Sequence, residues 1–287
     1  MQIVTDRGAD LSSEQSEGLE FHTLPLKITL EGKTYSGDDD ISAEEFYKML
    51  SETENFPTTS QPSAGDFAQL YRDLAKTDPE ILSIHISSGL SGTVQSATAG
   101  AEMVPEANVT IFDTKTLSCP LGWHVESAAR ARQAGWSIEQ ILPMLDKIRE
   151  HSEAYFTLAS LKYLIHGGRI SHLKGLVASL LNIKPVIGVD KEYGKYITAA
   201  QERTLKKAIA KMAAVATARF AEGEKIRVQL LHGNNLPGVE ILRDEIIKHF
   251  DVAWLPTVPI APVLGAHTGP TLVGLSVGPA ALFSELP

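Results

Sequence analysis

The sequence predicts an α/β protein of two lobes, a mostly parallel sheet flanked by helices followed by a mixed α/β lobe. Short apolar strands alternate with helices up to about residue 153, which indicates right-handed crossovers and a parallel sheet. Beyond that point, two strand-like segments meet across the turn Tyr193–Gly194, which is typical of a hairpin. We therefore expect domains at residues 1–153 and 154–287, with a ligand in the cleft between them.

The elements of the first lobe follow from hydrophobic patterning and from helix caps. Three predicted helices begin with a serine followed three residues later by an acidic residue or glutamine, the spacing of a capping box, at Ser42, Ser63 and Ser137. The predicted strands are QIVTD, LPLKITL, ILSIHIS and VTIFD, and the predicted helices are ISAEEFYKML, SAGDFAQLYRDLAK, TVQSATAGAEMV, LGWHVESAARARQAG and SIEQILPMLDKIREH.

The second lobe is predicted from the same kinds of signal, with strands and helices that no longer alternate regularly. Its predicted strands are AYFTLAS, KPVIGVD, GKYITAAQER and IRVQLLHG, and its predicted helices are TLKKAIAKMAAVATARFA and VEILRDEIIKHF. The glycine-rich segment GAHTGPTLVG closes the chain.

Composition excludes several classes of protein. The net charge of −9 argues against a nucleic-acid or anionic-membrane surface, so an anionic ligand has to be held by local donors. The longest apolar run, LVASLLNI, is far shorter than a membrane helix requires, and the start of the chain lacks a signal-peptide pattern. With the single cysteine Cys119 read as a buried structural thiol, we expect a cytoplasmic protein.

The stretch ISSGLSGTVQSA places glycines and hydroxyls between a strand and a helix. Its spacing does not match a P-loop, a dinucleotide fingerprint or a hydrolase nucleophile elbow. The remaining interpretations are a plain helix cap or a small anion cradle at the helix N-terminus. The cradle residues are Ser88, Gly89, Ser91, Gly92 and Thr93.

Three further clusters carry polar side chains, each with an ordinary structural interpretation beside the functional one. FPTTSQPS holds Thr59 and Ser60 in a proline-stiffened loop before a helix, and capping alone also explains it. IHGGRISH holds Arg169, whose guanidinium suits a carboxylate or phosphate but equally suits a surface turn. GAHTGPTLVG holds His267, and no spacing typical of metal ligands is present, so we expect no metal and no cofactor.

Taken together in this order, the segments resemble the DegV family nearly from end to end. The resemblance is carried by TTSQPS, SSGLSGTVQSA, FDTKTLS, GGRIS, LLNIKPVI, ERTLKKA and the histidine-containing tail. It implies a protein without catalytic activity of its own that binds a long-chain fatty acid between two α/β lobes. Several members are acyl-carrying subunits of a bacterial fatty-acid kinase, which phosphorylates the carboxylate to an acyl phosphate for phospholipid metabolism.

The resemblance also implies roles for particular residues. Thr59 and Ser91 fall on the family's carboxylate contacts, and Arg169 and His267 occupy the positions of the remaining neighbours. Arg203 resembles a basic position that the kinase's ATP-binding subunit recognises. The chain departs from the family pattern at Arg7 and at Thr271, and the second departure lies close to His267.

Two other functions remain open from the residues alone. A serine acyl hydrolase would use Ser91 as nucleophile, His267 as base and Asp113 as the group that orients the base. A binder of a phosphorylated small molecule would use the same cradle with Arg169. The apolar segment LKGLVASLLNIKPVIGV is suited to lining a lipid slot and equally to an ordinary core.

Overall fold

The computed structural model describes residues 1–36, 40–173 and 183–284, so most of the apolar run LVASLLNI lies outside the described residues. The strands are β1 Gln2–Asp6, β2 His22–Leu24, β3 Lys27–Leu30, β4 Lys33–Tyr35, β5 Thr58–Ser60, β6 Glu80–His85, β7 Asn108–Asp113, β8 Glu153–Thr157, β9 Lys184–Val189, β10 Tyr196–Glu202, β11 Lys225–His232, β12 Asp251–Trp254, β13 Val258–Pro259 and β14 Val273–Pro279.

The helices alternate with these strands in the first half of the chain, as predicted. They are α1 Ser13–Ser16, α2 Ala43–Glu52, α3 Ala64–Ala75, α4 Thr93–Glu102, α5 Ser118–Gln133, α6 Ile138–His151, α7 Lys162–His166, α8 Leu205–Ala216, α9 Leu236–Ile246, α10 Pro262–Thr268 and α11 Ala281–Ser284, with a 3₁₀ turn at Arg169–His172. The capping boxes predicted at Ser42, Ser63 and Ser137 are all present. Among the helices of the described residues, none has the length and apolar character that crossing a bilayer requires.

The predicted fold class, a parallel sheet in one lobe and a mixed sheet in the other, is confirmed. The first lobe contains a parallel four-stranded sheet in the order β2-β1-β6-β7. The second contains a seven-stranded sheet in the order β10-β9-β8-β14-β11-β12, with β13 also paired to β11, in which parallel and antiparallel pairs are mixed. The boundary at residues 153 and 154 stays a prediction.

A small antiparallel sheet, β4-β3-β5, corrects two sequence predictions. The segment LPLKITL is not one strand, because Pro25 lacks an N–H group and the chain passes from β2 in the parallel sheet to β3 in the small sheet. Residues Thr58–Ser60, predicted as a loop, form β5, which pairs with β3 so that Thr59 lies opposite Ile28.

The main hydrophobic core lies between the two large sheets. Alternation along β1 sends Ile3 into this central core and Val4 towards α3 and α4 on the outer face. The same alternation on β8 sends Phe156 to the centre and Tyr155 to the outer core beneath α8 and α9. Both sheets are therefore covered on both faces, and the polar site described next lies within their shared central layer.

Candidate functional site

The glycine-rich turn connects the buried strand β6 to the N-terminus of α4. Gly92 is the N-cap of this helix and has no side chain to cap it, so the positive end of the helix is open at that residue. Ser91 Oγ accepts a hydrogen bond from the Thr93 backbone N–H at 3.3 Å and lies 2.8 Å from Thr93 Oγ1. The turn therefore presents a pair of hydroxyls beside free helix-end amides, which is the geometry of an anion cradle.

Thr59 and His267 meet from distant parts of the chain. Thr59 lies on β5, and His267 lies in the last turn of α10, a helix that the sequence analysis did not predict within the glycine-rich tail. Thr59 Oγ1 and His267 Nε2 are 2.8 Å apart. Burial, with a smaller contribution from the charge of Arg169, lowers the pKa of His267 to about 3, so the imidazole is neutral at physiological pH.

The other ring nitrogen of His267 faces a glycine. His267 Nδ1 is buried and has no hydrogen-bond partner within the described part of the chain. A Cβ atom at Gly167 would lie 2.1 Å from this nitrogen, so the backbone at residue 167 approaches the ring more closely than any side chain permits. Gly167 is therefore required for the packing of the histidine, a role that the sequence alone did not reveal.

Arg169 lies just beyond the glycine pair, in the 3₁₀ turn. Gly168 adopts a φ of +76°, a conformation that favours glycine, and Arg169 Nη1 donates to the Gly167 carbonyl at 2.6 Å. Partial burial lowers the pKa of the Arg169 guanidinium, while the neighbouring Tyr196 acts in the opposite direction. An arginine remains cationic under such a shift, so it supplies the positive charge of this site.

The four residues that the resemblance assigns to a carboxylate all line one cavity. It encloses about 420 Å³ of space, part of it open to solvent. Thr59, Ser91, Arg169 and His267 form its polar part. The rest of the wall is apolar apart from the Tyr196 hydroxyl, and consists of Leu26, Ile86, Leu90, Leu117, Tyr196, Val263 and Leu264. Tyr196 is a lining residue that the sequence analysis missed.

The remaining predicted residues lie around this cavity at different distances. Ser88, Gly89 and Gly92 line an open depression at its mouth, together with Ser91 and Arg169. Thr93 is buried behind Ser91. Ser60 is exposed at the end of β5, and Arg203 is exposed between β10 and α8; neither borders the cavity or its mouth. Their predicted roles have no support from proximity.

Two apolar cavities continue from the first. One shares Leu117 and Tyr196 with it and extends along β8 and β14. The other shares Leu26 and Val263 with it and is also lined by Arg7. The seam between the sheets therefore contains three narrow cavities that share wall residues, and Thr59, Ser91, Arg169 and His267 are grouped in one of them.

The hydrogen bonds do not form the serine–histidine–aspartate arrangement of a hydrolase. Asp113 lies 2.9 Å from the Lys115 ammonium and accepts the Ser88 backbone N–H at 3.2 Å. His267 Nε2 contacts Thr59, and its Nδ1 faces Gly167, so neither ring nitrogen bonds to Ser91 or Asp113. Among the residues that the structure describes, Ser91 therefore has no oriented base.

Fold and site together define a two-lobed α/β protein with an apolar interior and a polar, anion-suited mouth. A sequence model described as "Uncharacterised protein, DegV family" matches residues 1–280. The chain belongs to the DegV family. A DegV domain-containing protein of Staphylococcus aureus strain N315 is 35% identical over 275 residues, which cover 96% of this chain and 97% of that protein.

Solved structures with the same fold include proteins described as fatty-acid binders. A DegV family protein from Thermus thermophilus, described by its fatty acid binding, superposes with a TM-score of 0.84 at 32% identity, covering 97% of this chain and 99% of that one. DegV from Bacillus subtilis, described as a fatty acid binding protein, superposes with a TM-score of 0.86 at 29% identity, covering 96% and 98%.

Proposed function

We propose that this protein binds a long-chain fatty acid in the seam between its lobes, with the carboxylate at the polar mouth. A kinase partner then phosphorylates that carboxylate to an acyl phosphate. The observation that carries the proposal is the convergence of Thr59, Ser91, Arg169 and His267 in one cavity that shares wall residues with two largely apolar ones. The fatty-acid binding described for the Thermus and Bacillus proteins supports the same ligand class.

The carboxylate is held by donors that the neutral histidine helps to orient. His267 Nδ1 has no hydrogen-bond acceptor within the described residues, so its unprotonated form is the less costly one there. The ring proton then lies on Nε2 and is donated to Thr59 Oγ1, which leaves the Thr59 hydroxyl proton for the carboxylate. Ser91 Oγ accepts the Thr93 backbone N–H, and with the Thr93 hydroxyl also donating to it, the Ser91 hydroxyl proton is left for the ligand.

Arg169 supplies the compensating charge. A carboxylate removed from water needs both hydrogen bonds and an opposite charge, because an unpaired buried charge is strongly unfavourable. The guanidinium, two hydroxyls and the N-terminus of α4 meet that need without a nucleophile or a metal ion.

The acyl tail occupies the cavity along β8 and β14. Its inner wall carries Ala154, Phe156 and Leu231, and no charged side chain of the described ranges borders it, whereas Arg7 lines the other branch. Burial of a methylene contributes about 0.8 kcal/mol, so a chain of about fourteen contributes on the order of 11 kcal/mol before ordering and desolvation costs. Affinity therefore comes mainly from the tail, and orientation from the mouth.

Phosphorylation requires that the head group remain accessible to a second protein. The open depression lined by Ser88, Gly89, Gly92 and Arg169 adjoins the carboxylate site and allows that approach. In the reaction a carboxylate oxygen attacks the γ-phosphorus of ATP, and ADP leaves. Arg203 is proposed as a contact with the kinase's ATP-binding subunit, because it is exposed and matches the family's basic position.

Native mass spectrometry of protein purified from a bacterial host tests the ligand class. We expect a co-purified fatty acid in the wild type and in Ser127→Ala, a buried-serine control on α5, and reduced occupancy in Ser91→Ala. A co-purified phosphosugar, or stoichiometric labelling of Ser91 by a fluorophosphonate, would refute the proposal. The phosphorylation step is tested by adding ATP and the ATP-binding subunit of a bacterial fatty-acid kinase. Acyl phosphate that forms is trapped with hydroxylamine.

A further inference from the structure

A hairpin of the second lobe is attached to the glycine-rich turn of the first. Ser87 Oγ donates to the Gly194 carbonyl, at the tip of the β9–β10 hairpin, at 2.8 Å. The same oxygen accepts the Gly89 backbone N–H at 3.0 Å. Ser87 is fully buried, so this contact between the lobes is shielded from water. We call the pair Ser87–Gly194 the latch.

Glycines on both sides make the latch possible. A Cβ at Gly89 would lie 2.3 Å from the Tyr193 carbonyl oxygen, and a Cβ at Gly194 would lie 1.9 Å from Ser87 Oγ. Gly194 also adopts a φ of +64°. The two backbones therefore approach at a distance that no other residue type allows. This close approach explains why Gly89 of the cradle is a glycine.

The hairpin tip is internally fixed, so the latch joins two ordered elements. The Asp190 carboxylate accepts the backbone N–H groups of Tyr193 at 2.6 Å and Lys195 at 3.0 Å. The Asp190 carbonyl accepts the Gly194 N–H at 3.1 Å. On the same hairpin, Tyr196 lines the cavity that holds the proposed head-group residues.

Ser87 also fixes the backbone of Ser91, the residue proposed to contact the carboxylate. Its carbonyl accepts the backbone N–H groups of both Leu90 and Ser91 at 3.0 Å. One residue thus fixes the Ser91 backbone with its main chain and the opposite lobe with its side chain. Because the Ser91 hydroxyl is short, its direction follows from the backbone of this turn.

On the basis of the proposed fatty-acid binding, we infer that Ser87 is a positioning residue: its latch to Gly194 couples the contact between the lobes to the orientation of Ser91. Closure of the latch aims the Ser91 hydroxyl at the carboxylate and slows release of the acid. Opening of the latch loosens the carboxylate contact and one wall of the mouth together, so bound acid exchanges through the open state.

Exchange of deuterated palmitate for unlabelled palmitate, followed by native mass spectrometry, tests the latch. Ser87→Ala removes the hydrogen bond to the Gly194 carbonyl and the one accepted from the Gly89 N–H. Loss of one such buried hydrogen bond corresponds to a roughly fivefold to thirtyfold effect, so we expect Ser87→Ala to exchange faster by at least about that factor. Asp190→Ala loosens the hairpin tip from the solvent side without touching the central core, and we expect acceleration in the same direction. Ser127→Ala is the matched control and should exchange at the wild-type rate.

A second readout separates positioning from general destabilisation. Palmitate has the carboxylate that Ser91 contacts, whereas 1-hexadecanol has the same chain without the charge. We expect Ser87→Ala to lower the ratio of palmitate to hexadecanol affinity, while a variant that is merely less stable loses both equally. If Ser87→Ala does not fold, Asp190→Ala carries both measurements.

The outcomes distinguish the latch from the proposed function. A wild-type protein that binds no palmitate refutes fatty-acid binding itself. The latch alone is refuted if the wild type binds palmitate but Asp190→Ala, and any Ser87→Ala that folds, exchange it at the wild-type rate. An unchanged ratio of palmitate to hexadecanol affinity also refutes the latch alone.

Discussion

Replacement of Thr59 by valine tests the proposed head-group site most directly, because one hydroxyl joins the ligand to the histidine. Valine keeps the branched shape on β5 and replaces the hydroxyl with a methyl group. The carboxylate then loses a donor, and His267 Nε2 loses the partner that lies 2.8 Å away. A hydrogen bond to a charged group contributes about 1.5–3 kcal/mol, so palmitate binding should weaken by roughly 10- to 100-fold.

Competition binding with a fluorescent fatty acid measures the effect, with Thr59→Ser and 1-hexadecanol as controls. Serine keeps the hydroxyl, so Thr59→Ser should stay within about threefold of the wild type, because only packing changes. Hexadecanol is uncharged, so it does not depend on a donor from Thr59 to compensate a buried charge. Thr59→Val should therefore reduce the affinity for hexadecanol far less than that for palmitate. The difference between the two ligands isolates the contribution of the charge.

A double-mutant cycle tests whether His267 acts through Thr59. If the ring orients the hydroxyl, Thr59→Val combined with His267→Phe should cost little more than either change alone. Strictly additive losses would mean that each residue contacts the carboxylate independently. Wild-type palmitate affinity in Thr59→Val would show that the carboxylate does not lie at this mouth.

Three further predictions concern the tail, the glycine and acid stability. Ala154→Leu fills the cavity along β8, so the acids bound from a C12–C18 mixture should shift towards shorter chains, as measured by native mass spectrometry. Ile41→Phe, in the other branch, should cause no such shift. The opposite result would place the tail in the branch lined by Arg7. Gly167→Ala places a Cβ 2.1 Å from His267 Nδ1, so the imidazole has to move and palmitate affinity should fall. Unchanged palmitate affinity would show that the position of the ring is not critical. Burial lowers the pKa of His124 to about 3, so the unfolded chain binds a proton from about pH 6.5 downwards while the native chain does not. The free energy of unfolding should therefore decrease from pH 6.5 towards pH 3, and urea titrations of His124→Leu should show a smaller decrease. An equal pH dependence of the free energy of unfolding in the two proteins would contradict this assignment.

The sequence predicted those parts of the fold whose signals are local. The capping boxes at Ser42, Ser63 and Ser137 involve residues three apart, and all three formed. Strand β5 was missed because it has three residues and exists only through pairing with β3, which is far away in the sequence. Short strands of this kind are specified by their partner, not by their own composition.

Helix α10 was missed for a related reason, and with it the setting of His267. A helix with Gly265 in its interior and Gly269 directly after it has low intrinsic propensity. Tertiary packing overrides that propensity, since a Cβ at Gly265 would lie 2.2 Å from the Tyr47 hydroxyl oxygen on α2. Thr271, the departure noted near the histidine, accepts the Ala159 N–H at 3.0 Å and so ties the tail to the loop after β8.

The candidate site illustrates how an acidic protein accommodates an anion. A chain with a net charge of −9 does not attract a carboxylate through its overall field, so the local arrangement has to be sufficient. Arg169 is half-buried and lies beside a histidine that burial keeps neutral, so the mouth holds one positive charge from these two residues, not two. One carboxylate balances that charge, whereas a dianionic phosphate leaves an excess negative charge in the same partly desolvated space. The electrostatics of the mouth therefore favour a fatty acid over a phosphorylated ligand, in agreement with the apolar cavities behind it.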